Sequence, residues 1–279
     1  MSAYLPFSHF KKLTKHKNPF LVQKYLKQIK YDTLFSKLCY NDFMRNEIKK
    51  PIIGIVSKNL TVKQYYGWQW QRICDSIRCA INKNNGLVIG ILPQKNNQVF
   101  NQKDEHETKK LTKQEQSDLL QTLKLCDGII LQGGLTSHNY EEFIAKYCYE
   151  NDIPCLGICA GFNNMIRGLG GTTTKLADTS KHDRPDLQYA HSCNIVDRNS
   201  LFYKIVGRDT FPVNSSHTYI SDTIPASLSV VAKSDDNQVE VVEAKDKKFY
   251  IGIKYHPQLL IDKDDFENNI FKVFVEMCM

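Results

Sequence analysis

No run in the sequence approaches the roughly 20 apolar residues that a membrane span requires. There is no Gly-x-x-x-x-Gly-Lys-Ser/Thr phosphate loop, no paired Cys-x-x-Cys, no His and Cys spacing of zinc-site type and no internal repeat. A resident metal and a bound cofactor are therefore not expected. Met1 to Lys12 carries charge but lacks the apolar stretch and small-residue cleavage site of a secretory signal. The nine cysteines are odd in number and sit mostly among apolar neighbours. They read as reduced thiols, which places the protein in the cytoplasm.

With 42% hydrophobic and 24% charged residues, collagen-like, coiled-coil and largely disordered classes are excluded. The 279 residues suit one large domain or two small ones. The formal charge of +7 is unevenly placed, because residues 1–50 hold eleven Lys or Arg against Asp32, Asp42 and Glu47. The remainder is nearly neutral, so electrostatic arguments about partners concern only the N-terminal segment.

Pro51 marks the expected domain boundary, since Ile52-Ile53-Gly54-Ile55-Val56 has the β-branched texture of a buried parallel strand. Residues 1–50 then form a basic helical extension, and 51–279 the main domain. The extension has two readings: helices that cap the sheet or an oligomer interface, and a basic arm for nucleic acid or an anionic membrane surface. Packing is preferred, nucleic acid is not expected, and a homo-oligomer stays open.

Downstream, the pattern predicts a helix over 66–82, a strand over 87–92, an exposed loop over 94–111, and a helix opened by a capping box at Thr112 and Glu115. A strand over 128–131 ends in Gly133-Gly134, a helix covers 140–150, and 154–158 is another apolar strand. Runs at 229–232, 239–243 and 250–255 read as a β-rich second half closed by a helix over 264–277. Strands alternating with helices imply a sheet covered on both faces.

The informative segment is Gly157-Ile158-Cys159-Ala160-Gly161, where an apolar strand runs straight into Gly-x-Cys-x-Gly and then a helix. This is a nucleophile elbow with cysteine in the nucleophile's place. Its tight turn crowds the residues two places either side, which leaves room only for small ones. The helix N-terminus beneath favours the reactive thiolate. On the motif alone, a structural cysteine at a strand end is an open alternative. Cys155, four residues earlier, lies inside the apolar strand and is expected to be buried. Gly133-Gly134 follows a buried strand, so its backbone N–H groups are placed to join that of Ala160 around an oxyanion, or simply to make a turn. His256 ends a strand, with Gln258 on the same side if the chain stays extended.

Taken in order, these parts resemble the class I glutamine amidotransferase-like superfamily, and within it the gamma-glutamyl hydrolase and gamma-glutamyl-GABA hydrolase branch. The resemblance covers roughly residues 51–279. It rests on Asp127 to Gly134, Leu156 to Gly161, Gly170-Gly171-Thr172, Val213-Asn214-Ser215-Ser216-His217, Val239 to Glu243, and Gly252 to Pro257. It implies a Rossmann-like (flavodoxin-like) α/β sandwich with a largely parallel central sheet. Cys159 would be the nucleophile and His256 the base in hydrolysing a small gamma-glutamyl or glutamine-like amide through a thioester. Gly133, Gly134 and Ala160 would form the oxyanion hole. Asn163 stands where the family commonly has a substrate-holding glutamine, and Ser215 and His217 would lie by the substrate, a polar loop being the alternative for the last two.

The resemblance breaks at the third catalytic position, where Gln258 replaces the family's glutamate. An amide oxygen can accept the imidazole's hydrogen bond without supplying the charge. Tyr219 likewise replaces a glutamine. The competing expectation is a catalytically impaired pseudoenzyme, or a ligand-binding or regulatory protein. Asp262, Asp264 and Asp265 are the nearby carboxylates that could replace the missing charge.

Overall fold

The computed structural model describes residues 49–62, 68–94, 106–107, 110–135 and 137–279. All but the last two residues of the expected basic helical extension lie outside the described residues. Residues 50–279 form one compact unit.

In chain order the strands are β1 (Ile52–Val56), β2 (Lys58–Val62), β3 (Trp68–Arg72), β4 (Leu87–Ile91), β5 (His106–Glu107), β6 (Gly128–Leu131), β7 (Ser137–His138) and β8 (Cys155–Ile158). Then come β9 (Thr172–Lys175), β10 (His191–Ile195), β11 (Thr210–Val213), β12 (Tyr219–Thr223), β13 (Ser229–Ser234), β14 (Val239–Glu243) and β15 (Tyr250–Ile253). Among the described residues the helices are α1 (Asp75–Lys83), α2 (Lys113–Leu123), α3 (Asn139–Glu150), α4 (Ala160–Gly168), α5 (Leu201–Val206) and α6 (Asp265–Met277).

The main sheet runs β11-β10-β13-β14-β15-β8-β6-β1-β4. Its core, β15-β8-β6-β1-β4, is parallel throughout, and β14, β13, β10 and β11 extend it antiparallel. Helices cover both faces, so the inner parallel strands β1, β6, β8 and β15 are buried on both sides and read as unbroken apolar runs, whereas β4 at the edge is partly exposed. Successive residues still alternate between the faces. Ile53, Ile55, Leu156, Ile158 and Ile253 pack with Ile77 of α1 and Phe271 and Phe274 of α6. Val56, Leu131, Cys155 and Tyr250 pack with Leu119 of α2, Ile144 of α3 and Phe162 of α4.

The flavodoxin-like architecture matches the expectation, and the capping box is formed: Glu115 N donates to Thr112 Oγ1 at 3.2 Å and Thr112 N to Glu115 Oε2 at 2.7 Å. One element is corrected. The helix expected over 66–82 begins only at Asp75, and 68–72 form a strand paired antiparallel with β2. Trp68-Gln69-Trp70-Gln71 alternates with period two, which suits a strand better than a helix. Within the expected loop at 94–111, His106 and Glu107 pair parallel with Ser137 and His138.

Candidate functional site

β6, β8 and β15 are neighbours and parallel, so their carboxyl ends open on one edge of the sheet. In register, Leu131 pairs with Gly157 and Ile158 with Ile253. The residues that follow, Gly133-Gly134, Cys159 and His256, therefore converge although they are far apart in sequence. This is where open α/β sheets bind ligands.

Cys159 has φ 54° and ψ −103°, a left-handed conformation that L side chains rarely adopt, directly before the first turn of α4. Such backbone costs about 1–3 kcal/mol and persists only when its surroundings impose it. Cys159 N donates to Ile253 O at 2.8 Å, tying the elbow to β15. The flanking glycines are sterically required. A Cβ on Gly161 would lie 1.8 Å from the Leu131 carbonyl oxygen, and one on Gly157 2.3 Å from Met165 Sδ and 2.9 Å from Gly161. Because the obstacle at Gly161 is main chain of a central strand, Gly161→Ala is expected to destabilise the fold at or beyond the upper end of the usual overpacking cost of about 1–3 kcal/mol. A lowered urea midpoint would show it, and an unchanged midpoint would refute the crowding argument.

Cys159 and His256 lie close enough to hydrogen-bond and to shift each other. Burial alone would raise the thiol. The charge and hydrogen bond of His256, backed by Lys254 and Lys58, outweigh burial and bring the thiol down to about 7. Burial likewise opposes the imidazolium, and the thiolate outweighs it, so His256 titrates above its usual range. The pair thus favours thiolate and imidazolium together. Cys155 is wholly buried, as its place within the apolar strand indicates.

Gln258 reaches the imidazole. Its Nε2 lies 3.1 Å from His256 Nδ1, while its Oε1 is buried without a hydrogen-bond partner among the described residues. The chain does not stay extended here, because His256 caps a single 3-10 turn, Pro257–Leu259, and the glutamine folds back within it. None of the three aspartates is bonded to His256: Asp262 binds Lys83, Asp264 binds Tyr189, and Asp265 opens α6.

Asn214, whose role the sequence did not reveal, brackets the histidine's backbone. Its Oδ1 accepts from His256 N at 2.8 Å, and its Nδ2 donates to His256 O at 2.9 Å. Lys254 was missed as well. It is fully buried, donates to Asn163 Oδ1 at 2.6 Å and lies 5.2 Å from the centre of the Phe162 ring. Burial lowers its ammonium to about 8, with Cys159 and Glu240 pulling the other way. A buried lysine in an apolar strand sequence is the signal that would have exposed it.

A cleft of about 440 Å³ opens beside Cys159. Gly134, Ala160, Asn163 and His217 line it, as do Tyr219, Arg167 and Asp183. Gly133 sits behind the pair, where a Cβ would come 3.0 Å from His256 Cε1 and 3.3 Å from Cys159 Cβ. Arg167 is held by Glu142, Thr173 and Asn164 at 2.7–2.8 Å. Ser215 does not line the cleft, because its hydroxyl donates to His182 O at 2.6 Å; Ser216 lines it instead, with its carbonyl 3.8 Å from Cys159 Sγ.

The expectation of no metal-site pattern concerned spacing along the chain; three-dimensional proximity is a separate matter. His182, His191, His217 and Glu240, from four separate segments, bring four possible ligand atoms within 4.8 Å of one another.

The fold and this edge define a flavodoxin-like α/β protein with a cysteine elbow at the head of its central strand. Residues 135–258 match the Peptidase C26 family. The chain is 33% identical over 154 residues to the glutamine-hydrolyzing GMP synthase subunit of Methanosphaera stadtmanae, a match covering 54% of this chain and 74% of that one. It is 31% identical over 152 residues to the GMP synthase of Lactobacillus johnsonii, covering 52% of this chain but only 28% of that enzyme's length. The glutaminase domain of Trypanosoma brucei CTPS, solved with bound acivicin, superposes with a TM-score of 0.56 at 16% identity, over 81% of this chain and 94% of that one. The chain belongs to the class I glutamine amidotransferase-like superfamily.

Proposed function

We propose that the protein is a cysteine-dependent hydrolase of gamma-glutamyl amide bonds in small molecules, glutamine being the simplest, with residues 51–279 as its catalytic domain and the cytoplasm as its setting. The observation that carries this reading is the strained elbow cysteine beside His256, its thiol lowered to about 7.

In this reading the Cys159 thiolate attacks the gamma-carbonyl carbon. The oxyanion is met by backbone N–H groups of Gly133, Gly134 and Ala160. The His256 imidazolium protonates the departing amine, leaving a thioester on Cys159 and a neutral imidazole. That imidazole takes a proton from water as the water attacks the thioester, which frees the gamma-carboxylate and restores the thiol. Asn163, His217 and Tyr219 line the cleft where the glutamyl end would lie, and the exposed Asp183 offers its alpha-ammonium a counter-charge.

The test is intact mass after exposure to acivicin, an electrophilic glutamine analogue. A single adduct is expected on the natural protein and none on Cys159→Ser. Labelling that survives in the variant would remove Cys159 from the proposal. The second reading, a binding or regulatory protein without turnover, is favoured by one observation: a neutral amide rather than a carboxylate meets His256 Nδ1. Adduct formation without hydrolysis of any gamma-glutamyl amide would select it.

A further inference from the structure

We infer that His182, His191, His217 and Glu240 hold one divalent transition-metal ion, zinc in the first instance, in a closed four-ligand site behind the wall of the cleft. This is independent of whether Cys159 is catalytic.

The geometry points to a metal rather than to hydrogen bonds. His182 Nδ1, His191 Nε2 and His217 Nε2 lie 3.7, 3.6 and 3.7 Å from the same oxygen, Glu240 Oε1. Those separations exceed hydrogen-bond reach. They are close to the edge of a tetrahedron built on zinc bonds of about 2.0–2.2 Å, which is about 3.3–3.5 Å. The three nitrogens and both Glu240 oxygens are buried, and none has a hydrogen-bond partner among the described residues. The side chains of His182, His217 and Glu240 are at most 3% exposed and that of His191 is 7% exposed.

Each ring's second nitrogen is already committed. His182 Nε2 faces Asp236 Oδ2 at 3.0 Å, His191 Nδ1 faces Ser192 O at 3.2 Å, and His217 Nδ1 faces Tyr219 O at 3.1 Å. All three partners are acceptors, so each outer nitrogen carries the proton. That places a lone pair on each inner nitrogen. Three lone pairs and a carboxylate aimed at one point repel one another unless a cation lies between them. A carboxylate or carbonyl behind each ligating imidazole is the usual outer shell of a metal site. Three nitrogens and one oxygen suit zinc, whereas magnesium and calcium prefer all-oxygen sets.

With four protein ligands the site leaves no open position, which assigns the ion a structural task. It would join β10 and β14 to the loops holding His182 and His217. His217 N donates to His182 O at 2.9 Å, and Asp183 bridges Ser216. Asp183, Ser216 and His217 all line the cleft, so the ion would fix the wall facing Cys159.

Metal content per chain, measured by plasma mass spectrometry on the full-length protein after growth with zinc and exhaustive dialysis, is the first test. About one equivalent is expected in the natural protein and in Cys159→Ser, with a loss of at least about tenfold in Glu240→Gln and His191→Gln. Metal lost from Cys159→Ser but kept by Glu240→Gln would place the ion at the thiol and overturn the assignment. Because the ligand variants can fail to fold, cobalt titrated into chelator-treated natural protein supplies a second measurement. Four-coordinate ligand-field bands without thiolate-to-cobalt charge transfer, together with a Tm that falls on chelation and recovers with zinc, support the site. No cobalt spectrum and a Tm indifferent to chelator and zinc overturn it.

Discussion

Gln258→Glu is expected to hydrolyse a gamma-glutamyl amide faster than the natural protein, by a factor between about ten and the roughly 10⁴ that separates a triad carboxylate from its amide in a serine enzyme. A carboxylate at this position can only accept. It would accept a hydrogen bond from Nδ1–H, keep Nε2 free to receive the thiol's proton, and stabilise the imidazolium that results. The glutamine amide presents either of two faces. With its NH₂ toward Nδ1, at the observed 3.1 Å, the ring's proton lies on Nε2 and the neutral imidazole cannot act as a base. With the amide rotated, its oxygen accepts from Nδ1–H and the productive tautomer returns, without the charge. The thiolate already stabilises the imidazolium, which is why 10⁴ is a ceiling here. Steady-state kcat/KM for both proteins across pH is the measurement. The carboxylate should also move the alkaline limb upward, because it holds the proton on the imidazole. Equal rates and coincident limbs would show that the amide is not what limits the natural protein.

The parts of this site that lie on continuous chain were legible in the sequence. β6 and β8 are buried on both faces, so their apolar runs stand out, and Gly157 and Gly161 announce the elbow because their positions admit no side chain. Structure made by contacts between distant segments was not legible. The four converging side chains His182, His191, His217 and Glu240 come from four segments whose spacing follows sheet pairing and loop closure, with no motif to mark it. Lys254 looked like one residue of an apolar strand, and only burial against Asn163 and Phe162 shows its charge to be part of the site. Ser215 was drawn into the site by its neighbours' resemblance, but its hydroxyl turns toward the His182 carbonyl. Even Gln258 meets the histidine by a different route, a 3-10 turn in place of an extended strand.

Lys254→Gln is expected to shift the whole pH–rate profile toward alkaline pH. In the natural protein the rate should rise through pH of about 7, as the Cys159 thiol gives up its proton. It should fall when the His256 imidazolium, held above its usual range, loses the proton destined for the leaving amine. The two limbs belong to the pair as a whole. The buried ammonium acts on both partners in the same direction, because a cation stabilises the thiolate and repels the imidazolium. Removing it therefore raises both titrations. At neutral pH the thiolate fraction falls, by about tenfold for each unit that the thiol rises. Glutamine is the informative replacement, since it removes the charge while keeping a polar NH₂ directed toward Asn163, one atom shorter than the lysine. The pH dependence of Cys159 alkylation reads the thiol without depending on any substrate. Here Gln258→Glu and Lys254→Gln should differ, the first extending the alkaline limb alone and the second moving both. An acid limb that stays in place in Lys254→Gln would mean that the elbow, the helix N-terminus and His256 suffice to activate the thiol.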